Sequence, residues 1–210
     1  MKTRQLGFWT EDFGDAYVER SRLSPQQVIA RGEHLDKIFV SAGIERNVSI
    51  LEVGANIGLN LKGLRKCGWS GSFYAVEPNK KAYDMLKSDR EIALNGAFHS
   101  DGFDLPVGGK SIDLAFTCGV LIHVHPEDLF RVCSEIYRVS RKYITCMEYF
   151  SPEPVEKNYR GHQGLLFKRD FGGFYLDHWS DLKLLDYGFL WKKVTPFDNV
   201  TWWLFEKRTR

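Results

Sequence analysis

Glu52 closes a short apolar run, and Gly54, Asn56 and Gly58 follow it in "SILEVGANIGLN", residues 49–60. An acid followed by glycines at the tip of a strand is a ligand-loop pattern. Glycine turns the chain tightly and lets a ligand approach the backbone. The dinucleotide fingerprint G-x-G-x-x-G is not met, because "ANI" separates Gly54 from Gly58. No Lys-Ser or Lys-Thr follows, which excludes a Walker phosphate cradle. Asn56 takes the central place, and asparagine tolerates a left-handed backbone better than most residues. A carboxylate at Glu52 repels a diphosphate and attracts a cation. Glu77, in "YAVEPN", lies 23 residues beyond Gly54, where an acid accepts hydrogen bonds from ribose hydroxyls. Together the two acids describe a nucleoside with a cationic, phosphate-free arm. S-adenosylmethionine (SAM) has those parts: adenosine, a sulfonium and an ammonium.

Alternating strands and helices must position these residues. "VSILEV", "SFYAVE", "GAFHSD", "SIDLAFT" and "YITCMEYF" read as five strands over residues 48–150, separated by helical segments. That order predicts a parallel sheet with helices on both faces. Ser24 as N-cap, Pro25 at the first position and Gly43 as the stop bound a helix before the first strand. Residues 8–23 predict a short amphipathic helix. "PEDLFRVCSEIYRVS" predicts a helix opened by Pro126 with acids in its first turn, and His125 reads as its N-cap. "DLKLLDYGFLWKKV" and "NVTWWLFEKR" are strand-like runs joined by "TPFDN", a hairpin added to the sheet edge, with Trp202 and Trp203 as core or interface residues. The segment 151–180, between the fifth strand and this hairpin, is an insertion whose second half reads as helix.

The chain has 210 residues, 43% hydrophobic and 27% charged, with a formal net charge of +2. This suits one soluble α/β domain and offers little electrostatic basis for nucleic acid or anionic membrane as partner. Cys67, Cys118, Cys133 and Cys146 form no C-x-x-C pair, so no zinc spacing exists and no metal is expected. With no secretory h-region and no long apolar run, the expectation is a cytoplasmic, unanchored protein.

The motifs in this order resemble those of the class I SAM-dependent methyltransferases. "LEVGANIG" resembles their first motif, "YAVEPN" the second, "HSDGFDLPV" the adenine segment, and "SIDLAFTCGVLIHVHPEDL" the fourth-strand motif. Asn56 departs from the usual glycine. The resemblance implies a Rossmann-like fold: a mostly parallel seven-stranded sheet with a C-terminal antiparallel hairpin and helices on both faces. It divides the single domain 1–210 into N-terminal lid helices (1–45), a SAM-binding core (48–150), an acceptor-binding insertion (151–180) and the hairpin (181–210). It also implies that Glu52, Gly54, Asn56, Gly58, Glu77 and Pro78 hold the cofactor, with Asp101, Gly102 and Phe103 at the adenine. Thr117 and Cys118 would lie beside the methionine arm, and Tyr17 and Arg20 on a lid helix would close over it. A narrower likeness runs through "FWTEDFGDAYVERS", "YRGHQGLLFKRDF" and "TWWLFEK", similar to the pseudaminic acid biosynthesis-associated methylases. It implies a sugar-related small-molecule acceptor.

Methyl transfer needs the nucleophile, methyl carbon and sulfur held in line, and an oxygen nucleophile needs a base. His123, just past the fourth strand, is the candidate base, with a structural cap as its other reading. By similarity to phosphoethanolamine-type methyltransferases, Tyr17 would be its partner. Arg forks suit carboxylate or phosphate. Tyr159, Arg160, His162, Lys168 and Arg169 therefore predict an acidic acceptor, with Tyr149 facing the same pocket. The leading expectation is transfer to an oxygen of an acidic sugar or surface-polysaccharide precursor by a monomer or homodimer. The alternatives are N-methylation of a small amine and a non-catalytic SAM-binding protein. The absence of a "(D/N/S)-P-P-(Y/F)" motif disfavours nucleobase methylation.

Overall fold

The computed structural model describes residues 3–208. Two short helices, α1 (Arg4–Thr10) and α2 (Asp12–Arg20), precede the long α3 (Pro25–Ser41). Residues 8–23 therefore hold parts of two helices, not one, because Glu11 is extended and breaks the run. Ser24 and Gln27 form a reciprocal capping box at the start of α3, and Pro25 occupies its first turn.

The core then alternates as expected: β1 (Ile50–Val53), α4 (Leu59–Lys66), β2 (Phe73–Val76), α5 (Lys80–Ser88), β3 (Gly96–Phe98), β4 (Ile112–Cys118), α6 (Leu129–Val139) and β5 (Ser140–Glu148). Between β4 and α6, Leu121–His123 form a short three-ten turn. Helix α6 begins at Leu129, later than its sequence implies. Pro126, Glu127 and Asp128 form the turn before it. His125 Nδ1 accepts the Glu127 N–H at 3.4 Å within that turn and does not cap the helix.

In the insertion, β6 (Val155–Tyr159) and β7 (His162–Lys168) form a separate antiparallel hairpin, followed by α7 (Phe171–His178). The helical half was legible; the hairpin was not. Its two-residue turn has φ of 52° at Arg160 and 88° at Gly161, the left-handed pair usually written Asn-Gly. Strands β8 (Leu182–Leu190) and β9 (Val200–Lys207) complete the main sheet.

The seven-stranded order is β3-β2-β1-β4-β5-β9-β8, with the first five strands parallel and β9 antiparallel to both its neighbours. The order reverses between β1 and β4, which locates the crevice for a ligand beyond their carboxyl ends. The sheet separates two apolar layers, and strand alternation deals neighbouring residues to opposite ones. Ile50 joins Leu35, Phe39, Leu61 and Leu64 on the α3–α4 side. Leu51 and Val53 join Val132 and Ile136 on the α6 side. Trp202 and Trp203 divide in the same way, and both are buried. Glu52 follows the Ile50 parity and so lies on the α3–α4 side. Thr117 and Cys118 are divided between the two sides by the same rule.

Candidate functional site

A cavity of about 630 Å³ opens at the carboxyl ends of β1, β2 and β4, and the lid helices and the β8–β9 loop wall it. Of the residues singled out by sequence, Tyr17, Arg20, Glu52, Gly54, Asn56, Glu77, Pro78, Asp101, Gly102, Phe103, Cys118, His123 and Arg160 border it.

The loop after β1 is built for close approach. Gly54 has φ of 75°, and a Cβ there would sit 2.5 Å from a Val120 methyl. Asn56 is left-handed at φ 49°, a conformation its side chain helps to sustain by donating to Ser21 Oγ at 2.9 Å. Gly58 stands apart from the cavity. It precedes α4, and a Cβ on it would meet Leu86 and Ile92, so it serves packing.

Three acids converge here. Glu77, at the end of β2, accepts the Asn56 N–H and the Asn79 N–H, each at 2.7 Å. Each oxygen keeps a further lone pair for a ligand hydroxyl. Burial pushes its carboxyl up to about 7, opposed by those two backbone bonds. Glu52 accepts from Asn60 Nδ2 at 2.6 Å through one oxygen, while its buried Oε2 has no hydrogen-bond partner. Burial raises it to about 8, although Asn60 and the Arg31 charge act the other way. An unpartnered buried carboxylate oxygen at a cavity wall is the feature a cationic group would satisfy. Asp101 accepts the Phe103 N–H through Oδ1 at 2.9 Å, which curls the backbone at Gly102 and Phe103 toward the cavity.

His123 sits on the three-ten turn with its Nδ1 2.6 Å from the Leu165 carbonyl oxygen of β7. A carbonyl only accepts, so Nδ1 carries the proton and Nε2 presents a lone pair. Burial lowers the imidazole to about 4, so it is neutral at physiological pH. Its ring packs on Trp9 at 4.5 Å and on Tyr159 at 4.9 Å between centroids. Trp9 in turn meets Tyr17 edge-on at 5.2 Å, and burial holds the Tyr17 phenol above its ordinary range. Tyr17 therefore stays protonated.

The turn that carries His123 is held from β5. Buried Glu148 accepts the Thr117 hydroxyl at 2.9 Å and the Val120 and Ile122 N–H groups at 3.2 and 3.3 Å. This accounts for Thr117, which faces the α6 side and does not border the cavity; its neighbour Cys118 does. Burial pushes the Cys118 thiol up to about 12, which keeps it protonated.

The basic cluster of the insertion is dispersed. Arg160 borders the cavity from the hairpin tip, but His162 packs against Phe8 at 4.8 Å. Lys168 lies over the Tyr149 ring at 5.1 Å and Arg169 over Phe174 at 5.3 Å. Tyr149 donates to Asp198 at 3.1 Å, and Tyr159 packs against His123 with its ring tilted by 58°. None of Tyr149, Tyr159, His162, Lys168 and Arg169 is in the cavity wall. An antiparallel hairpin sends successive side chains to opposite faces, so sequence proximity does not gather them.

Several side-chain ties hold the lid down. Gln5 donates to the Gly164 carbonyl at 2.9 Å, Asn79 to Asp15 at 2.8 Å, and Asn56 to Ser21. Sequence reasoning missed Arg31, Asn60, Trp9 and Asp198. Arg31 on α3 donates to Asn60 Oδ1 at 2.7 Å and to the Pro196 carbonyl at 3.0 Å, and stacks on Phe197 at 4.0 Å. It therefore links α3, the Glu52 network and the β8–β9 loop. A signal existed: Arg31 falls three residues after Val28 and four before Leu35, on an otherwise apolar stripe.

A family model for a methyltransferase domain matches residues 51–143. No curated protein sequence matches the chain. Among solved structures, the 1,6-didemethyltoxoflavin-N1-methyltransferase of Burkholderia thailandensis, with bound 1,6-didemethyltoxoflavin and S-adenosylhomocysteine (SAH), is similar at TM-score 0.72 and 14% identity, over 100% of this chain and 91% of that one. Magnesium protoporphyrin IX methyltransferase of Synechocystis PCC 6803, with bound SAM, reaches TM-score 0.67 at 14% identity over 99% and 97%. A 4+2 cyclase reaches TM-score 0.63 at 15% identity over 90% and 84%. At these identities the likeness establishes the fold. The family match is to the general methyltransferase domain, and none of the comparisons points to the narrower surface-sugar group. No described helix is long and apolar enough to cross a membrane. Among the described residues no group of three or more His, Cys, Asp or Glu could hold a metal ion.

Proposed function

We propose that this chain, a SAM-dependent methyltransferase with the class I fold, methylates an oxygen of a small acidic molecule of the sugar or surface-polysaccharide-precursor kind. The observation that carries the cofactor assignment is the unpartnered buried oxygen of Glu52, set in one cavity with Glu77 and Asp101. Glu77 would take the ribose hydroxyls, Asp101 the adenine amino group, and Glu52 the ammonium, with Gly54 and Asn56 keeping the loop backbone close. Arg20, on the lid, is the candidate for the carboxylate. When bound, SAM would supply a methyl carbon already activated by its sulfonium.

The remaining work falls to the chain's own residues. They must hold the acceptor in line, exclude water and receive a proton. His123 accepts that proton at Nε2, and its Leu165 bond keeps the ring from turning. Tyr17, protonated, orients the acceptor from the lid. Arg160 is the candidate for the acceptor's acidic group, with Tyr149, Tyr159, His162, Lys168 and Arg169 supporting the walls behind it. The similarity to pseudaminic acid-associated methylases supports a sugar framework. A second reading, an amine acceptor, draws on Asp198, an acid that borders the cavity and now takes Lys192 at 2.8 Å, a partner a cationic acceptor would displace.

The test is transfer of labelled methyl from SAM into nucleotide sugars and nonulosonic acids, with small amines in parallel. His123→Ala is expected to lower kcat by about a hundredfold or more, the usual worth of a positioned base. SAH affinity, read by calorimetry, should be unchanged. Loss of SAH binding together with activity would make His123 structural. Arg160→Ala is expected to raise the acceptor KM by about tenfold, the value of one charge-assisted hydrogen bond. An untouched KM would reject the acidic acceptor. SAH binding without methyl transfer to any class would favour a non-catalytic role or a different chemistry on the same fold.

A further inference from the structure

The indole N–H of Trp9 has no hydrogen-bond partner and is shielded from solvent, although Trp9 borders the cavity. A buried donor without a partner calls for a ligand or another explanation. Its ring lies 4.5 Å from that of His123 between centroids. Further aromatic rings pack around it, Phe13 at 5.3 Å, Tyr17 at 5.2 Å and Tyr159 at 6.2 Å, and Asn79 donates to its backbone carbonyl at 3.1 Å. The neighbouring His123 ring carries an unprotonated acceptor, because the Leu165 carbonyl fixes its lone pair on Nε2.

We propose that Trp9 and His123 grip the acceptor atom together, and that the pair selects a hydroxyl over an amine. This inference rests on the methyltransferase reading above. A hydroxyl oxygen has two lone pairs and one proton. One lone pair forms the new C–O bond to the methyl carbon as the C–S bond breaks and its electron pair leaves with sulfur. The second lone pair accepts the indole N–H. The proton passes to His123 Nε2. A neutral amine has one lone pair, and a donor that engages it removes the nucleophile. Trp9 therefore stands as a specificity-determining residue, supplied by the lid only when α1 is docked through Gln5 on the β6–β7 hairpin.

The test uses ¹⁵N-labelled full-length protein saturated with SAH. The Trp9 indole resonance is assigned by its disappearance in Trp9→Phe, which keeps an aromatic ring in the cluster. The probes are nucleotide sugars and nonulosonic acids, each paired with an amino-sugar counterpart. Hydroxyl compounds that are methylated should shift the Trp9 N–H resonance, and the product should carry the methyl on oxygen. Trp9→Phe should lower kcat/KM for that acceptor by about threefold to tenfold, the net worth of one neutral hydrogen bond, and leave SAH affinity unchanged. A product methylated on nitrogen, an indole resonance that ignores the methylated acceptor, or full activity in Trp9→Phe would each overturn the proposal. If Trp9→Phe fails to fold, Trp9→Tyr supplies the assignment in its place, and the resonance shift and the methylated atom in the wild type still decide it. Absence of SAH binding would overturn the methyltransferase reading itself.

Discussion

At pH 8.5, where Glu77 is ionised, replacing it with alanine will weaken SAH binding by at least about a hundredfold, since two hydrogen bonds to a charged acceptor are worth about 1.5 kcal/mol each at the low end. The geometry behind this figure is specific. Both oxygens already take one backbone N–H each, from Asn56 and Asn79, so the carboxylate is locked at the end of β2. A ligand diol would meet it without any reordering. Alanine would also release the Asn56 N–H, loosening the left-handed residue that ties the lid at Ser21. Calorimetry with SAH and with adenosine separates the two effects. Loss confined to the ribose contact weakens both ligands equally, whereas loss of the lid tie weakens SAH more. A change of less than about threefold would show that the ribose does not sit at Glu77, because even one ordinary hydrogen bond is worth that much.

The second large effect concerns pH. The folded state holds Glu52 at about 8 and Glu77 and Glu148 at about 7, in each case chiefly through burial. An unfolded glutamate titrates near about 4.3. A folded pKa above the unfolded one means that the folded chain binds more protons across that interval. Stability is then greatest at the acid end and falls as pH rises through it, by up to about 1.4 kcal/mol per pH unit for each group. The ligand-free protein is expected to melt at a lower temperature at pH 8.5 than at pH 6. The ammonium of SAH would offer Glu52 the counter-charge that burial denies it, so stabilisation by SAH should grow with pH over the same range. Binding near pH 7 should also release a proton, seen as a calorimetric enthalpy that depends on the buffer. Glu52→Gln should flatten the Glu52 part of both dependences. Identical pH profiles in that variant, with no buffer effect in the wild type, would refute the assignment of Glu52 to a cation.

The dispersal of the basic cluster alters the chemistry expected at the acceptor end. Read along the chain, Arg160, Lys168 and Arg169 make an anion site. Folded, two of them cover aromatic rings outside the cavity and one reaches it. The interior instead offers an aromatic wall, a neutral imidazole and an unpartnered indole N–H, while Asp198 stands exposed at the rim, paired with Lys192 at 2.8 Å. A polar uncharged group near the methyl, with any acidic substituent kept at the rim by Arg160, is the acceptor that suits both halves.

Local pattern was enough for the sheet, the loop and the acids. Strand periodicity, glycine placement and helix caps act over a few residues, so "SILEVGANIGLN" and "YAVEPN" placed Glu52, Gly54, Asn56 and Glu77 at strand ends before any contact was known. The central residue of that loop, Asn56, is indeed left-handed, and its side chain adds a tie to the lid. The same local logic failed at "NYRGHQ", because Arg at the first position of a left-handed turn hides a hairpin that Asn would announce. Which residues share the cavity was decided by tertiary structure alone. Arg31 meets Asn60 across 29 positions and Trp9 meets His123 across 114, while the adjacent pair Thr117 and Cys118 is split by the pleat. Contacts at such separations depend on how helices and hairpins dock, and no spacing rule along the chain encodes that docking.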